Sequence, residues 1–307
     1  MAPARRFIHR ALRLTVGLVA AAFVLAAAAP AVDAKPSKTK QTAKAKTKKK
    51  SSKVASSKGA PSKKTGKKAP AKDTSTKKSG GSSHAVFDAD YDSTPAAKYG
   101  ALDKAGCLKE ARARNIGFDE VEEAAGVLVP VRLTGPLNGV SYHTELPEKD
   151  RGSSPYEVFD CRLVLALHDF SAILTARGID EAYIFSAWRP PGKDWPSGKE
   201  ATRHPGGLAV DIRVLKKASG GSSTGTDDLV VARDWTPARD EPPCGDASGE
   251  GGKVAPDTDD ARAIRAIYCK AASERIFNSM LGPNYNKAHE NHFHLEITPG
   301  VKWRLVL

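Results

Sequence analysis

The chain has 307 residues and a formal net charge of +13, a balance that would suit a nucleic-acid binder if it were spread over a folded surface. It is not spread: residues 35–83 hold 17 lysines against one aspartate, residues 1–34 add four arginines against one aspartate, and residues 84–307 are left with a net −6. That makes nucleic acid an improbable partner for the folded part, whose roughly 224 residues suffice for one domain with a sizeable core.

In chain order, Arg5, Arg6, Arg10 and Arg13 precede an apolar run from about Leu14 to Val32, closed by small residues with Val32-Asp33-Ala34 as a cleavage site. This is the form of an export signal over 1–34. The alternative is an uncleaved anchor, because the run approaches the roughly 20 residues that span a bilayer. Either way the remainder is expected in an extracytoplasmic, oxidising space, periplasmic or secreted. Residues 35–83 contain no aromatic residue, and Val54 is the only large aliphatic. Such a segment buries too little apolar surface to offset its ordering entropy, which predicts a disordered Lys-rich linker. It either binds anionic envelope polymers such as lipopolysaccharide phosphates or teichoic acids, or acts as a spacer.

The folded part carries all four cysteines, Cys107, Cys161, Cys244 and Cys269. An even count in an exported chain predicts two disulfides. Three pairings are possible, and Cys107–Cys161 with Cys244–Cys269 joins the segments that look like neighbours. Helical spacing is expected over 103–114 and, most clearly, over 158–177, where Val158, Cys161, Leu165, Ile173 and Leu174 recur and Arg177-Gly178 supplies a stop. Strands are expected at 127–133, at 183–188 (YIFSAW) and at 208–215 (LAVDIRVL), the last paired with 229–235 (LVVARDW). After a Gly/Pro/Asp loop over 236–256, a helix is expected at 258–280 and a strand at 291–297. The sum is α+β: a small antiparallel sheet with helices on one face.

Two segments concentrate the chemistry. In TRHPGGLAVDI, His204 stands seven residues before Asp211. Strand alternation points Ala209, Asp211 and Arg213 away from Leu208, Val210 and Ile212, and Gly206-Gly207 leaves room for His204 to turn back over Asp211. A carboxylate in such a strand needs a compensating partner. In ENHFHLEI, alternation puts His292, His294 and Glu296 on one face and Phe293, Leu295 and Ile297 on the other. Both imidazoles can then approach a metal set by His204 and Asp211, and three N/O ligands with one open position make a catalytic zinc site. His143 and His289 read as solvated, and His168 and Asp169, on the long helix, as surface groups or as groups that support the site from behind its ligands. Trp188, Trp195 and Tyr285 read as core or as groove lining.

His-x-x-Gly-x-Ala-x-Asp, here His204, Gly207, Ala209 and Asp211, followed by His-x-His, resembles the zinc D-alanyl-D-alanine peptidases and murein endopeptidases of the LAS fold. Within that clan the chain looks most like the bacterial extensin-like C-terminal domain family, through CRLVLALHDF, SAWRP, RHPGGLAVDI, ARDW and LGPNYNKAHENHFHLEI. The likeness covers 155–298 well and 103–154 weakly, so 155–307 is taken as the zinc peptidase-like domain and 84–154 as the N-terminal part of the folded region. It implies that His204, Asp211 and His294 bind Zn2+, that His292 is the general base or a transition-state stabiliser, and that Arg189 sits over the scissile carbonyl. Peptidoglycan is the implied partner, and no stable protein partner is implied. The chain departs from the pattern at Thr202, where the clan has Ser, and at Asn291, where one branch has its catalytic Glu; Glu290 is the alternative base. It has Trp188 and Ala125 where the family has Cys. Two functions follow: a metallopeptidase acting on peptide stems, or a zinc-stabilised cell-wall binding module with little or no activity.

Overall fold

A computed structural model describes residues 86–218, 228–239, 241–245 and 256–307. The expected export signal over 1–34, the Lys-rich segment 35–83 and part of the 236–256 loop lie outside the described residues. In chain order the strands are β1 (Val86–Phe87), β2 (Phe118–Glu120), β3 (Pro130–Leu133), β4 (Ser141–His143), β5 (Phe159–Asp160), β6 (Ile179–Ile184), β7 (Ala209–Lys217), β8 (Leu229–Val230), β9 (Ser279–Leu281), β10 (Phe293–Glu296) and β11 (Trp303–Val306). The helices are α1 (Pro95–Gly100), α2 (Lys104–Ala113), α3 (Glu148–Arg151), α4 (Cys161–Thr175), α5 (Val231–Asp234) and α6 (Asp259–Ser273).

Among the described residues, eight strands form one sheet in the order β1-β11-β9-β10-β7-β6-β4, with β8 added to β7, and β2-β3-β5 form a second sheet. The class is α+β as expected, but the large sheet is mixed. β4 pairs β6 in parallel, as does β11 with β9. The first parallel pair exists because α4 intervenes in the chain and carries it back across the sheet, as a crossover must.

One face of β7 and β10 carries Val210, Ile212, Phe293 and Leu295, which join α4 and α6 in a single buried cluster. Leu163, Leu165 and Leu167 of α4 are wholly buried, and each such side chain contributes roughly 1.5–3 kcal/mol by leaving water. Helix α4 starts three residues later than its periodicity predicts, because Phe159–Asp160 pairs with β3 and the Asp160 carboxylate caps the Arg162 amide at 2.9 Å. Asp160 is fully buried, and the Arg162 guanidinium neutralises it through contacts at 2.8 and 3.0 Å.

Two expected elements are shorter. Only Leu229–Val230 of 229–235 pairs with β7. The Asp234 carboxylate then takes the Val230 amide at 2.7 Å, the chain turns into α5, and the Trp235 ring inserts against Tyr268 and Phe293 at 5.3 and 5.4 Å. Helix α6 ends at Ser273 rather than running to 280: Arg275 adopts a left-handed φ of 55°, a common way to stop a helix, and Ser279–Leu281 enters the sheet beside β10. Cys107 is bonded to Cys161, tying α2 to the start of α4, and Cys244 is bonded to Cys269 on α6.

Candidate metal centre

The face of β7 and β10 opposite the helices carries the site. Antiparallel pairing sets His294 directly opposite Asp211, so both side chains leave the same face at adjacent positions. His204 reaches them from a short 3-10 turn, His204–Gly206, that precedes β7. That turn requires its glycines. A Cβ on Gly206 would lie 2.2 Å from the Ala201 carbonyl oxygen, and one on Gly207, at φ 63°, would lie 2.8 Å from the Asp160 nitrogen.

Three atoms converge. His204 Nε2 lies 3.1 Å from Asp211 Oδ1 and 3.2 Å from His294 Nδ1, and His294 Nδ1 lies 3.0 Å from the same carboxylate oxygen. All three residues are buried, and these two imidazoles and one carboxylate bring their ligand atoms close enough together to share an ion. The outer nitrogens limit the tautomers. His204 Nδ1 faces the Ala187 carbonyl at 2.8 Å, and His294 Nε2 faces the Glu296 carboxylate at 3.1 Å. Each outer nitrogen can donate its N–H, and each inner nitrogen is then left either to share a proton with the carboxylate or to offer its lone pair to a cation. Three lone-pair atoms buried about 3 Å apart repel one another unless a proton or a metal cation lies between them. Two imidazoles and a carboxylate suit zinc in ligand type and in spacing. Outer-sphere partners such as Glu296 are what hold a ligating histidine in one orientation; Glu296 is itself buried and accepts from Thr298 Oγ1 at 2.6 Å.

The electrostatics describe the arrangement in which protons, rather than a cation, lie between these atoms. Burial alone would raise the Asp211 carboxyl, but hydrogen bonding to His204 and His294 outweighs it and holds the group well below the ordinary carboxylate range. His294 is raised above the usual imidazole value: burial opposes this, and the Asp211 and Glu296 carboxylates prevail. His292 is pushed down, chiefly by burial, which keeps it neutral at pH 7. Its Nε2 stands 3.5 Å from Asp211 Oδ1, outside the tighter triangle, while its Nδ1 meets Asn291 Oδ1 at 2.8 Å. With the Nδ1 proton committed to Asn291, the Nε2 lone pair faces the site.

Arg189 arrives by a departure from the sheet. Phe185 and Ser186 still exchange backbone bonds with Asp211 at 2.8 and 3.1 Å, after which the Arg189 amide bonds the His204 carbonyl at 3.1 Å. Its guanidinium lies on Asp211 Oδ2 and donates to Ser186 Oγ at 2.8 Å, with about half of the side chain exposed. Glu290 is exposed and pairs with Arg239 at 3.8 Å.

Two histidines differ from their solvated reading. His143 is buried between Glu181 (2.6 Å) and the Thr144 carbonyl (2.9 Å). His289 is half-buried, its ring 5.2 Å from that of His292 and 5.8 Å from that of His294. Burial, then the neighbouring His292 and His294, lower it to about 4. Tyr285 meets His289 edge-on at 5.2 Å and is exposed. Trp188 donates to the Pro205 carbonyl at 3.1 Å and so braces the His204 turn. Asp169 binds Tyr99 and Arg114 and holds α1 and α2 to α4. Glu296, Ser186 and Asn291 had no role in the sequence reading. Only Glu296 gave a signal, by sharing the strand face of His294.

The family model described as Extensin-like protein C-terminus matches residues 247–305. That stretch includes α6, β9, β10 and both His292 and His294; His204, Asp211 and Arg189 lie before it. It gives the C-terminal part of the chain a likeness to that family. No curated protein and no solved structure matches the chain.

Proposed function

We propose that this is an exported zinc peptidase-like protein that hydrolyses amide bonds in the peptide stems of peptidoglycan. The observation that carries the reading is the triangle of His204, Asp211 and His294 with neutral His292 and the Arg189 guanidinium both set against Asp211. The His-x-x-Gly-x-Ala-x-Asp and His-x-His spacings, similar to those of the LAS peptidases, support the same class. When bound, zinc supplies Lewis acidity, which polarises a carbonyl and makes a neighbouring water more acidic. The chain's own groups do the rest. His292 Nε2 takes the proton from the attacking water, while Asn291 keeps the ring turned toward it, and returns that proton to the departing amine as the C–N bond breaks. Arg189 faces the carbonyl oxygen as negative charge develops there, and Ser186 limits its rotation. In this reading the N-terminal signal takes the chain out of the cytoplasm, and the Lys-rich segment 35–83 holds it near anionic envelope polymers.

One observation favours a second reading, a zinc-stabilised binding module. Arg189 donates to Asp211, a proposed ligand, so its guanidinium is partly occupied in stabilising the centre. Digestion of purified peptidoglycan with the full-length chain and zinc separates the two. The peptidase reading expects new amino groups and shortened stems by mass analysis. Sedimentation with peptidoglycan and no product would establish the binding module.

A further inference from the structure

The open face of the sheet does not end at the metal centre. Arg213 lies two residues beyond Asp211 on β7, where the register against β6 shifts between Tyr183 and Ile184. Phe185 joins the two places. Its ring meets His292 edge-on at 5.6 Å, and the Arg213 guanidinium lies over the same ring at 5.1 Å. Arg213 also pairs with Glu145, which follows β4, and the two side chains are 33% and 54% exposed. The result is an accessible cation and anion side by side, on an aromatic floor that runs to the proposed base.

An ion pair this exposed adds little to fold stability, whereas its chemistry is selective. The guanidinium has five donors and spends one on Glu145, and the Glu145 carboxylate has acceptor sites to spare. A lysine side chain brought here would satisfy Glu145 and crowd Arg213 with like charge. A carboxylate alone would do the reverse. Only a group ending in both ammonium and carboxylate meets both partners with opposite sign. We infer that Arg213 and Glu145, floored by Phe185, form the subsite that recognises a stem residue with a zwitterionic side chain, an assignment that rests on the peptidase reading for its choice of ligand.

The test uses the full-length chain supplied with zinc and two stem peptides that differ at one residue, meso-diaminopimelate in one and lysine in the other. Binding is measured by calorimetry and cleavage is followed alongside. The diaminopimelate peptide is expected to bind about tenfold tighter, the worth of a charge-assisted hydrogen-bond pair. Arg213→Gln should remove that preference while leaving the lysine peptide no weaker. Lys216→Gln, which removes the cation over Tyr183, should preserve it. Equal affinity of the wild type for both peptides, or an equal weakening of both by Arg213→Gln, would overturn the assignment. A preference without cleavage would refute the peptidase reading and leave the subsite standing; cleavage without preference would do the opposite.

Discussion

His292→Ala is expected to keep its zinc and to lose amide hydrolysis by roughly 10²-fold or more, the usual worth of a general base. The expectation follows from the different environments of two imidazoles on one strand face. His294 sits within 3.2 Å of both other donors, with its outer nitrogen on Glu296, so its removal opens the triangle. His292 stands 3.5 Å from Asp211 with its outer nitrogen on a neutral amide, so its removal leaves the triangle whole. His294→Ala should therefore lose zinc together with every property that depends on it. Arg189→Ala should keep zinc and lose activity by about 10²-fold through the missing oxyanion contact. Metal content read beside release of amino groups checks all three variants. Loss of zinc in His292→Ala would reverse the assignment of the two histidines.

Removing the Cys107–Cys161 bridge should be among the most damaging changes to stability that leave the site untouched. Both sulfurs are buried, and the bridge closes a 54-residue separation between α2 and α4. Loop-closure entropy for a loop of that length amounts to about 4 kcal/mol, a large share of the 5–15 kcal/mol typical of a domain. The Cys107→Ala/Cys161→Ala double variant should show that loss as a lower denaturation midpoint, with zinc retained below it. The Cys244–Cys269 bridge closes a shorter separation of 25, and its loss should cost less. A double variant as stable as wild type would show that contacts between α2 and α4 already hold the unit together.

The convergence of His204, Asp211 and His294 was legible in the sequence because strand alternation and a glycine-permitted turn are local rules. His204, Asp211, His292 and His294 fall on one face for reasons contained in a dozen residues each. The long-range partners were not legible. His143 finds Glu181 only because β4 and β6 lie parallel across a helical crossover, and nothing near His143 announces that pairing. Arg189 reaches Asp211 because the chain leaves the sheet after Ser186, where periodicity alone expected YIFSAW to continue to 188. The LVVARDW segment misled in the same way: its apolar alternation reads as a strand, but the Asp234 carboxylate turns the backbone and Trp235 is drawn into the core. His289 looked solvated because its neighbours in sequence are polar, while its neighbours in space are His292 and Tyr285.

Elemental analysis of the full-length chain after mild purification, beside the Asp211→Ala variant, tests the metal centre most directly. About one zinc per chain is expected in the wild type, as a three-ligand site requires, and none in the variant, which lacks the oxygen that both inner imidazole nitrogens approach. A wild type without zinc, or an Asp211→Ala chain that retains as much as the wild type, would contradict it.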